Sequence, residues 1–301
     1  MKPQPNLSIA DEGLTVLDGA VEGATAVDYA FLHGLNGNPK RTWTYESGED
    51  RFFWPAQIVT DLPGCRVMMF GYNALFERAL VENTTTINAI AQTFVSRLID
   101  KRKDAAQVNR PLVFIAHSLG GLVVKRAIAN MHAECNSGLQ TRKVKEQKAI
   151  YDSIAGIVFM GTPHFGSHVA DKTRIQVLKA IGKATFLNAP EKLLKALSAH
   201  SNELQDLSTS FEKTTIFTRH EIEMCTYYET KTTKFAGKEE VVPRSMALLH
   251  YLNEREEPIA AEHAHMTKFR SEQDDTFQSI RQRIEDMALD GLDALRARQG
   301  S

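Results

Sequence analysis

The stretch PLVFIAHSLGGLVVKRA, residues 111–127, decides how this chain folds. An apolar run stops at a single serine, Ser118, after which glycines follow and a helical pattern begins. A short apolar run closed by a turn signal predicts a buried strand, and apolar residues at three- and four-residue spacing predict a helix. The sequence therefore predicts a strand and a helix joined by a turn that carries Ser118.

Ser118 stands in a turn whose neighbours suit a nucleophile. A serine on a sharp strand-to-helix turn needs small residues two positions before and after it, and Ala116 and Gly120 fill those places. The usual pattern has glycine at both, so Ala116 is a departure. The backbone N–H of Leu119 opens the helix and can donate to an oxyanion. Ser118 is a candidate catalytic nucleophile and Leu119 a candidate oxyanion-hole donor; the alternative is a close-packed turn without chemistry.

Further apolar runs alternate with helical patterns along the chain. Strands are predicted over 14–18, 26–34, 65–72, 154–163 and 221–230, and helices over 86–102 and 275–298. Strands that are apolar throughout and alternate with helices indicate a parallel sheet covered on both faces. We therefore expect an α/β fold with a mostly parallel, doubly wound sheet, whose sites collect at the carboxyl ends of the strands.

The chain is expected to form one domain over residues 1–301, with a core of about 14–285, because α/β folds of 301 residues often stay undivided. Within it, a segment of about 170–215 has the pattern of two or more amphipathic helices, the second beginning near Pro190. We favour a helical, lid-like insertion over the site. The alternative is a lengthened crossover helix.

A second oxyanion donor is expected in the loop after an earlier strand. His33 and Gly34 follow the predicted strand at 26–34, and Gly34 allows a close backbone turn. The N–H of Leu35 is the candidate oxyanion-hole donor in this loop. A lone His-Gly pair more often marks only a turn. Its position two βα units before the serine turn favours the functional interpretation.

A serine hydroxyl needs a base to remove its proton and an acid to orient that base. In strand–turn–helix hydrolases the acid and then the histidine follow the serine along the chain. His263 and His265 stand in a loop before the last helix, and we prefer His263. Glu229 closes the predicted strand at 221–230 and is our choice of acid, with Glu239 and Glu240 as alternatives.

Five segments in this order give the chain a family resemblance: FLHGLNG, FIAHSLGGLVVKRA, VFMGTPHFGS, YYET…VVPRSMALL and EHAHMTKF. Over about residues 26–285 the chain resembles the serine-esterase group of α/β-hydrolases. This group includes serine-active-site-containing proteins, lipase-like domains near GPI-inositol deacylases, and esterase domains that precede NACHT modules in fungal receptors. The resemblance implies the α/β-hydrolase fold and an esterase activity.

The resemblance also bears on individual residues. The group's final histidine stands in the pattern H-x-x-M-x-K-F, which begins here at His263 and so favours it over His265. The group's E-T before V-V-P matches Glu229 and supports it as the acid. His164, in GTPHFGS, comes before the acid in sequence, so we interpret it as a packing or rim residue.

Net charge and cysteine content indicate which binding partners and which cellular compartment the sequence favours. The 36 basic and 37 acidic residues leave a formal charge of -1, which does not favour electrostatic binding of nucleic acid or of an anionic membrane. The three cysteines lack paired or metal-ligand spacing, which indicates a reducing compartment. No run reaches the roughly 18 apolar residues of a membrane span. We expect a cytoplasmic location and neither a metal nor an organic cofactor.

Three functions fit these observations. The first is a serine hydrolase that cleaves carboxylic esters of lipids or small molecules through Ser118, His263 and Glu229. The second is a signalling or scaffold domain that acts by assembly, with a homo-oligomer or a signalling partner. The third is a hydrolase of thioesters or amides, since the same triad serves those bonds and the fold does not choose among them.

Overall fold

The computed structural model describes residues 7–18, 26–72, 87–104, 110–165, 171–185, 201–218, 222–232, 240–251 and 253–299. The strands are β1 (Gly13–Asp18), β2 (Asp28–Leu32), β3 (Thr44–Ser47), β4 (Asp50–Phe53), β5 (Arg66–Gly71), β6 (Leu112–His117), β7 (Ile154–Met160), β8 (Glu223–Glu229) and β9 (Glu254–Ile259). The α-helices are α1 (Trp54–Asp61), α2 (Ile87–Lys101), α3 (Leu119–Cys135), α4 (Arg142–Ser153), α5 (Asp171–Thr185), α6 (Ser201–Thr218), α7 (Arg244–Ala247) and α8 (Asp275–Gln299).

The main sheet has the strand order β1-β5-β2-β6-β7-β8-β9. β1 runs antiparallel to β5, and every other neighbouring pair in this sheet is parallel. All residues of β2, β5, β6 and β7 are buried. Because side chains alternate between the two faces of a strand, burial at every position means that both faces are covered.

Helices supply that cover on each face. On one face α2, α3 and α6 contribute Phe94, Leu122 and Phe211 to a shared hydrophobic cluster. On the other face α1 and α8 contribute Trp54 and Ile284 to a second cluster. The predicted α/β architecture, a mostly parallel sheet with helices on both faces, is therefore confirmed.

Two features of the sheets are absent from the sequence prediction. β9, with the sequence EREEPI, pairs with β8 and is the last strand of the main sheet among the described residues. Arg255 and Glu256 are exposed there, as polar residues of an edge strand can be. β3 and β4 form a separate two-stranded antiparallel sheet. A search for wholly apolar runs passes over strands of this kind.

The segment predicted as a lid-like insertion contains α5 and α6. α6 lies against α3 and buries Leu204, Leu207 and Phe211 in the first cluster, which is the position of a crossover helix between β7 and β8. The predicted helix start at Pro190 lies in 186–200, outside the described residues. A lid over the site thus stays a prediction.

Candidate active site

Ser118 lies on a strained turn between β6 and α3. Its backbone has φ 51° and ψ -120°, a conformation that costs a non-glycine residue about 1–3 kcal/mol. The Ser118 N–H donates to the Met160 carbonyl at 2.9 Å, which ties the turn to the end of β7. A Cβ at Gly120 would come within 2.5 Å of the Leu32 carbonyl oxygen, so only glycine lets α3 begin against β2. The fold thus holds the serine in a conformation that it would otherwise avoid.

His263 reaches Ser118 from the loop between β9 and α8. The His263 Nε2 lies 2.9 Å from the Ser118 Oγ, within hydrogen-bond distance. Ser118 is 1% exposed and His263 2% exposed, so little water competes for this bond. His265, the alternative, has a side chain 65% exposed and lies 3.9 Å from Glu262. The structure brings His263 and not His265 to the serine.

Glu229, the last residue of β8, lies on the other side of the His263 ring. Its Oε1 is 3.5 Å from the His263 Nδ1, and its side chain is fully buried. The same Oε1 accepts a hydrogen bond from the Val242 N–H at 2.6 Å, which fixes the carboxylate. Glu240 instead accepts from the Arg244 N–H at the start of α7 and is not placed at the histidine. Glu239 lies outside the described residues.

The His263 ring thus lies between the Ser118 hydroxyl and the Glu229 carboxylate. If the Ser118 hydroxyl donates to Nε2, that nitrogen carries a lone pair and the proton of a neutral His263 is on Nδ1, facing Glu229. Nδ1 is a buried atom without a well-aligned hydrogen-bond partner among the described residues. The 3.5 Å separation of Nδ1 from Glu229 is longer than a well-formed hydrogen bond, and catalytic hydrogen bonds of this kind tighten in the complex with substrate.

His117 connects the serine turn to the histidine loop. Its Nε2 lies 3.0 Å from the His263 carbonyl oxygen, which can only accept, so Nε2 carries the proton. Burial lowers the pKa of His117 to about 3, and the nearby His263 adds to this effect. His117 is therefore neutral near pH 7. This bridge was missed by the sequence analysis, although the histidine directly before the serine was visible in the motif.

The predicted oxyanion donors lie on two sides of Ser118. Leu119 is the first residue of α3, and the first N–H groups of a helix have no intrahelical acceptor. Gly34, directly before Leu35, is so close to the serine that a Cβ on it would lie 2.9 Å from the Ser118 Cβ. Among the described residues, neither the Leu35 nor the Leu119 amide donates to a protein acceptor. Both amides can therefore donate to a substrate oxygen.

Gly161 lets the histidine sit close to the end of β7. It has φ +60°, which an L residue rarely adopts, and a Cβ there would lie 3.0 Å from both Cε1 and Nδ1 of His263. The same Cβ would lie 2.8 Å from the Met266 Sδ. The glycine of GTPHFGS is therefore required both by the turn and by the position of the histidine ring.

Residues 162–165, which follow Gly161 in GTPHFGS, are buried beside α3. His164 is 3% exposed, and its ring packs edge-on against Phe159 at 4.6 Å, so the structure makes it a packing residue. Burial lowers its pKa well below the usual range. The Lys125 Nζ and the Ser208 hydroxyl both donate to the His164 carbonyl, at 3.3 and 2.8 Å. These contacts join the segment to α3 and α6.

A groove of about 1040 Å³ lies between α2, α3 and α4, but none of the predicted site residues line it. In the part of the chain that the structure describes, no group of three or more His, Cys, Asp or Glu side chains could hold a metal ion. Across the same residues, no helix has the length and apolar character needed to cross a membrane.

Comparisons with known proteins identify a family for this chain. A family model described as "Putative serine esterase (DUF676)" matches residues 29–232. The chain is similar to protein SERAC1 of Bos taurus, at 26% identity over 198 residues, and to protein SERAC1 of Mus musculus, at 27% identity over 198 residues. Each match covers 61% of this chain and 27% of the relative, so the chain spans about a quarter of the length of these curated relatives.

A solved structure shows the same fold. The chain is similar to the monoacylglycerol lipase of Paleococcus ferrophilus, with a TM-score of 0.50 and 13% sequence identity. The match covers 92% of this chain and 98% of the lipase. At this level of identity the likeness concerns the fold alone, which is the α/β-hydrolase fold.

Proposed function

The chain belongs to the family described as "Putative serine esterase (DUF676)", and from that premise we propose that it hydrolyses carboxylic esters of lipids or small molecules through Ser118, His263 and Glu229. The single observation that carries the proposal is the 2.9 Å contact between the Ser118 Oγ and the His263 Nε2, across 145 residues of sequence. A base at hydrogen-bond distance from a serine on a strained turn is the arrangement that nucleophilic catalysis requires.

Acylation begins when the His263 Nε2 takes the proton of the Ser118 hydroxyl and the Oγ attacks the ester carbonyl. The carbonyl electrons move to the oxygen, and the resulting oxyanion accepts hydrogen bonds from the Leu35 and Leu119 amides. The imidazolium then gives its proton from Nε2 to the departing alkoxide, which leaves as an alcohol. Ser118 is left as an acyl ester.

Deacylation repeats these steps with water. The His263 Nε2 removes a proton from a water molecule, and the hydroxide attacks the acyl carbonyl under the same two amides. Collapse of this intermediate releases the carboxylic acid and returns the proton to Ser118. In both halves the buried Glu229 carboxylate stabilises the positive charge on His263 and holds its Nδ1–H in place.

The burial of Glu229 supports this role. A carboxylate with a fully buried side chain and one backbone donor, the Val242 N–H, is an incompletely compensated charge. Its other oxygen, Oε2, has no hydrogen-bond partner among the described residues. A cation that forms on His263 during the reaction relieves this deficit, so the transition state gains more from Glu229 than the resting enzyme does.

Hydrolysis of p-nitrophenyl acetate, butyrate and octanoate tests the proposal, with wild type and Ser118→Ala at equal folded concentration. We expect turnover by wild type and a loss of about three orders of magnitude or more in kcat/KM in the variant. Ser153→Ala is the matched control, because Ser153 is also buried and its hydroxyl donates to the Ile150 carbonyl in its own helix, α4. It should retain wild-type turnover.

A fluorophosphonate probe gives an independent readout of the same site. We expect it to label wild type and Ser153→Ala but not Ser118→Ala. If wild type neither turns over any of the esters nor reacts with the probe, the esterase proposal fails. The alternative of a signalling or scaffold domain would then be the better hypothesis.

A further inference from the structure

The peptide between Gly34 and Leu35 carries one of the two proposed oxyanion donors. It lies against the serine turn, since a Cβ on Gly34 would be 2.9 Å from the Ser118 Cβ and 3.1 Å from the His117 Nδ1. A donor in an oxyanion hole contributes only if it points at the developing charge. The orientation of this one peptide plane therefore matters for the proposed reaction.

The Gly34 carbonyl is held by two hydrogen bonds. It accepts from the Gly37 N–H at 3.0 Å, across a tight turn, and from the His33 Nδ1 at 2.9 Å. A peptide unit is planar and trans, so its C=O and its N–H point in opposite directions. Fixing the Gly34 carbonyl thus fixes the direction of the Leu35 N–H. Hydrogen bonds accepted by the carbonyl also polarise the amide and strengthen its N–H as a donor.

The ring of His33 is itself held in the state that this bond requires. Nδ1 faces a carbonyl oxygen and must carry the proton, so Nε2 must accept, and the Tyr72 N–H lies 3.4 Å from Nε2. The His33 and Tyr72 rings stack at 4.3 Å with 8° between their planes. Burial lowers the pKa of His33 to about 4, so the ring is neutral near pH 7 and keeps this tautomer.

Two more contacts hold the His33 ring, Tyr72 and the turn after Gly34 together. The Tyr72 hydroxyl donates to the His33 carbonyl at 2.5 Å, so the peptide before Gly34 is also fixed. A Cβ on Gly37 would lie 2.7 Å from the His33 Nδ1, so a glycine at this position lets the turn fold onto the ring. The His33 ring, Tyr72 and this turn therefore pack against one another.

We infer that His33 is a positioning residue for the oxyanion hole, with Tyr72 as its support: its Nδ1–H holds the Gly34 carbonyl so that the Leu35 N–H points to the substrate oxygen. This inference rests on the proposed function and deepens it. His33 does not transfer a proton in the reaction. It acts through the Leu35 amide.

Two substitutions at His33 separate this role from simple packing. His33→Asn places an amide N–H on the same side-chain atom position as Nδ1 but leaves a cavity, whereas His33→Leu fills more of the space and offers no donor. If His33 only fills space, His33→Leu should have a higher kcat than His33→Asn. If His33 positions the Gly34 carbonyl, His33→Asn should have the higher kcat, whichever of the two variants is more stable to heat.

The assay is p-nitrophenyl butyrate hydrolysis with kcat and KM measured separately, at equal folded concentration established by circular dichroism. We expect His33→Leu to lower kcat by about 10- to 100-fold with little change in KM, since full loss of an oxyanion donor costs about 10²- to 10³-fold. His33→Asn should recover most of that loss. His132→Leu, at the far end of α3, is the matched control and should behave as wild type.

Tyr72→Phe keeps the stacked ring and removes only the hydroxyl on the His33 carbonyl. It keeps the inference testable if His33→Leu does not fold, and we expect a fall in kcat of about 10-fold with KM unchanged. The inference is overturned if folded His33→Leu keeps the wild-type kcat, if His33→Asn is no better than His33→Leu, or if Tyr72→Phe has no effect.

The proposed function and the inference fail in different ways. If wild type and Ser118→Ala hydrolyse the ester equally, the proposed function fails and the inference falls with it. If wild type shows turnover that depends on Ser118 while the His33 and Tyr72 variants match it, only the inference fails.

Discussion

Replacement of Gly161 by alanine is expected to damage the site through one identifiable contact. Gly161 has φ +60°, and a Cβ there would lie 3.0 Å from the Cε1 and Nδ1 atoms of His263. The same atom would lie 2.8 Å from the Sδ of Met266, which is the far end of a flexible side chain and can rotate away. The imidazole has no such freedom, because it lies between Ser118 and Glu229.

Two costs follow from this geometry. The left-handed backbone costs an L residue about 1–2 kcal/mol of folding free energy. Carbon atoms in ordinary contact are about 3.5–4.0 Å apart, so a Cβ at 3.0 Å displaces the ring by several tenths of an ångström. A 1 Å misplacement of a reacting group can cost about 100-fold in rate, so we expect Gly161→Ala to lower kcat by about 10- to 100-fold.

Gly48→Ala is the matched control for the backbone cost. Gly48 also has φ +60°, but a Cβ there would meet nothing within 4 Å. Both variants should lose free energy of unfolding, measured by urea denaturation, because both carry the same backbone strain, and Gly161→Ala should lose more because its Cβ also meets His263 and Met266. Only Gly161→Ala should lose kcat in p-nitrophenyl butyrate hydrolysis at equal folded concentration, and its KM should change little.

Either of two results would refute this reasoning. If folded Gly161→Ala keeps the wild-type kcat, the histidine ring does not depend on the space beside the end of β7. If Gly48→Ala loses as much kcat as Gly161→Ala, the effect comes from general destabilisation and not from the contact with His263.

Two further predictions concern buried charges. Glu229→Gln should keep the bond from the Val242 N–H but lose the charge that faces His263, so we expect kcat to fall by about 10²- to 10⁴-fold in ester hydrolysis. Glu240→Gln, which alters the alternative acid, should stay within about twofold of wild type. Burial lowers the pKa of Lys125 from 10.5 to about 7, so between these values the unfolded chain binds more protons than the folded one. The free energy of unfolding should therefore rise by about 1 kcal/mol from pH 7.5 to 8.5. Urea denaturation should find this rise absent in Lys125→Met.

Each of these predictions has a clear contradicting outcome. Equal losses in Glu229→Gln and Glu240→Gln, or a loss only in the latter, would remove Glu229 from the proposed triad. For the lysine, Lys145→Met changes an exposed residue of α4 and should keep the wild-type pH dependence. If Lys125→Met shows the same slope as wild type and Lys145→Met, the buried amine is not the group that titrates.

The elements around Ser118 could be predicted from the sequence because their signals are local. The strand before it is wholly apolar, the turn needs small residues at fixed offsets, and the helix after it has helical spacing, so β6, the turn and α3 follow from residues 111–127 alone. The same kind of local signal predicts six further elements, and the structure confirms them within a few residues: β2, β5, β7, β8, α2 and α8. These are the elements that form the centre of the core.

Elements with a polar face were harder to predict. β9 reads EREEPI and α4 reads RKVKEQKAIYDS, and neither has the apolar content that a search for buried runs detects. They form because a neighbouring element offers backbone hydrogen bonds or a packing surface. β8 hydrogen-bonds to β9, and α3 packs against α4. Tertiary context overrides a weak local signal at these positions.

By itself the sequence determined the fold class and the serine turn, since both depend on residue type and spacing, and it limited the candidate acids and histidines to those that follow the serine in the usual order of this fold. The tertiary structure decided which histidine and which glutamate meet: His263 contacts Ser118 while His265 is exposed, and Glu229 faces His263 while Glu240 accepts from the Arg244 N–H. It also decided that the His33 ring holds the Gly34 carbonyl and that the Tyr72 hydroxyl holds the His33 carbonyl. Such choices depend on distances of a few ångströms between residues far apart in the chain, and only the packed sheet brings those residues together.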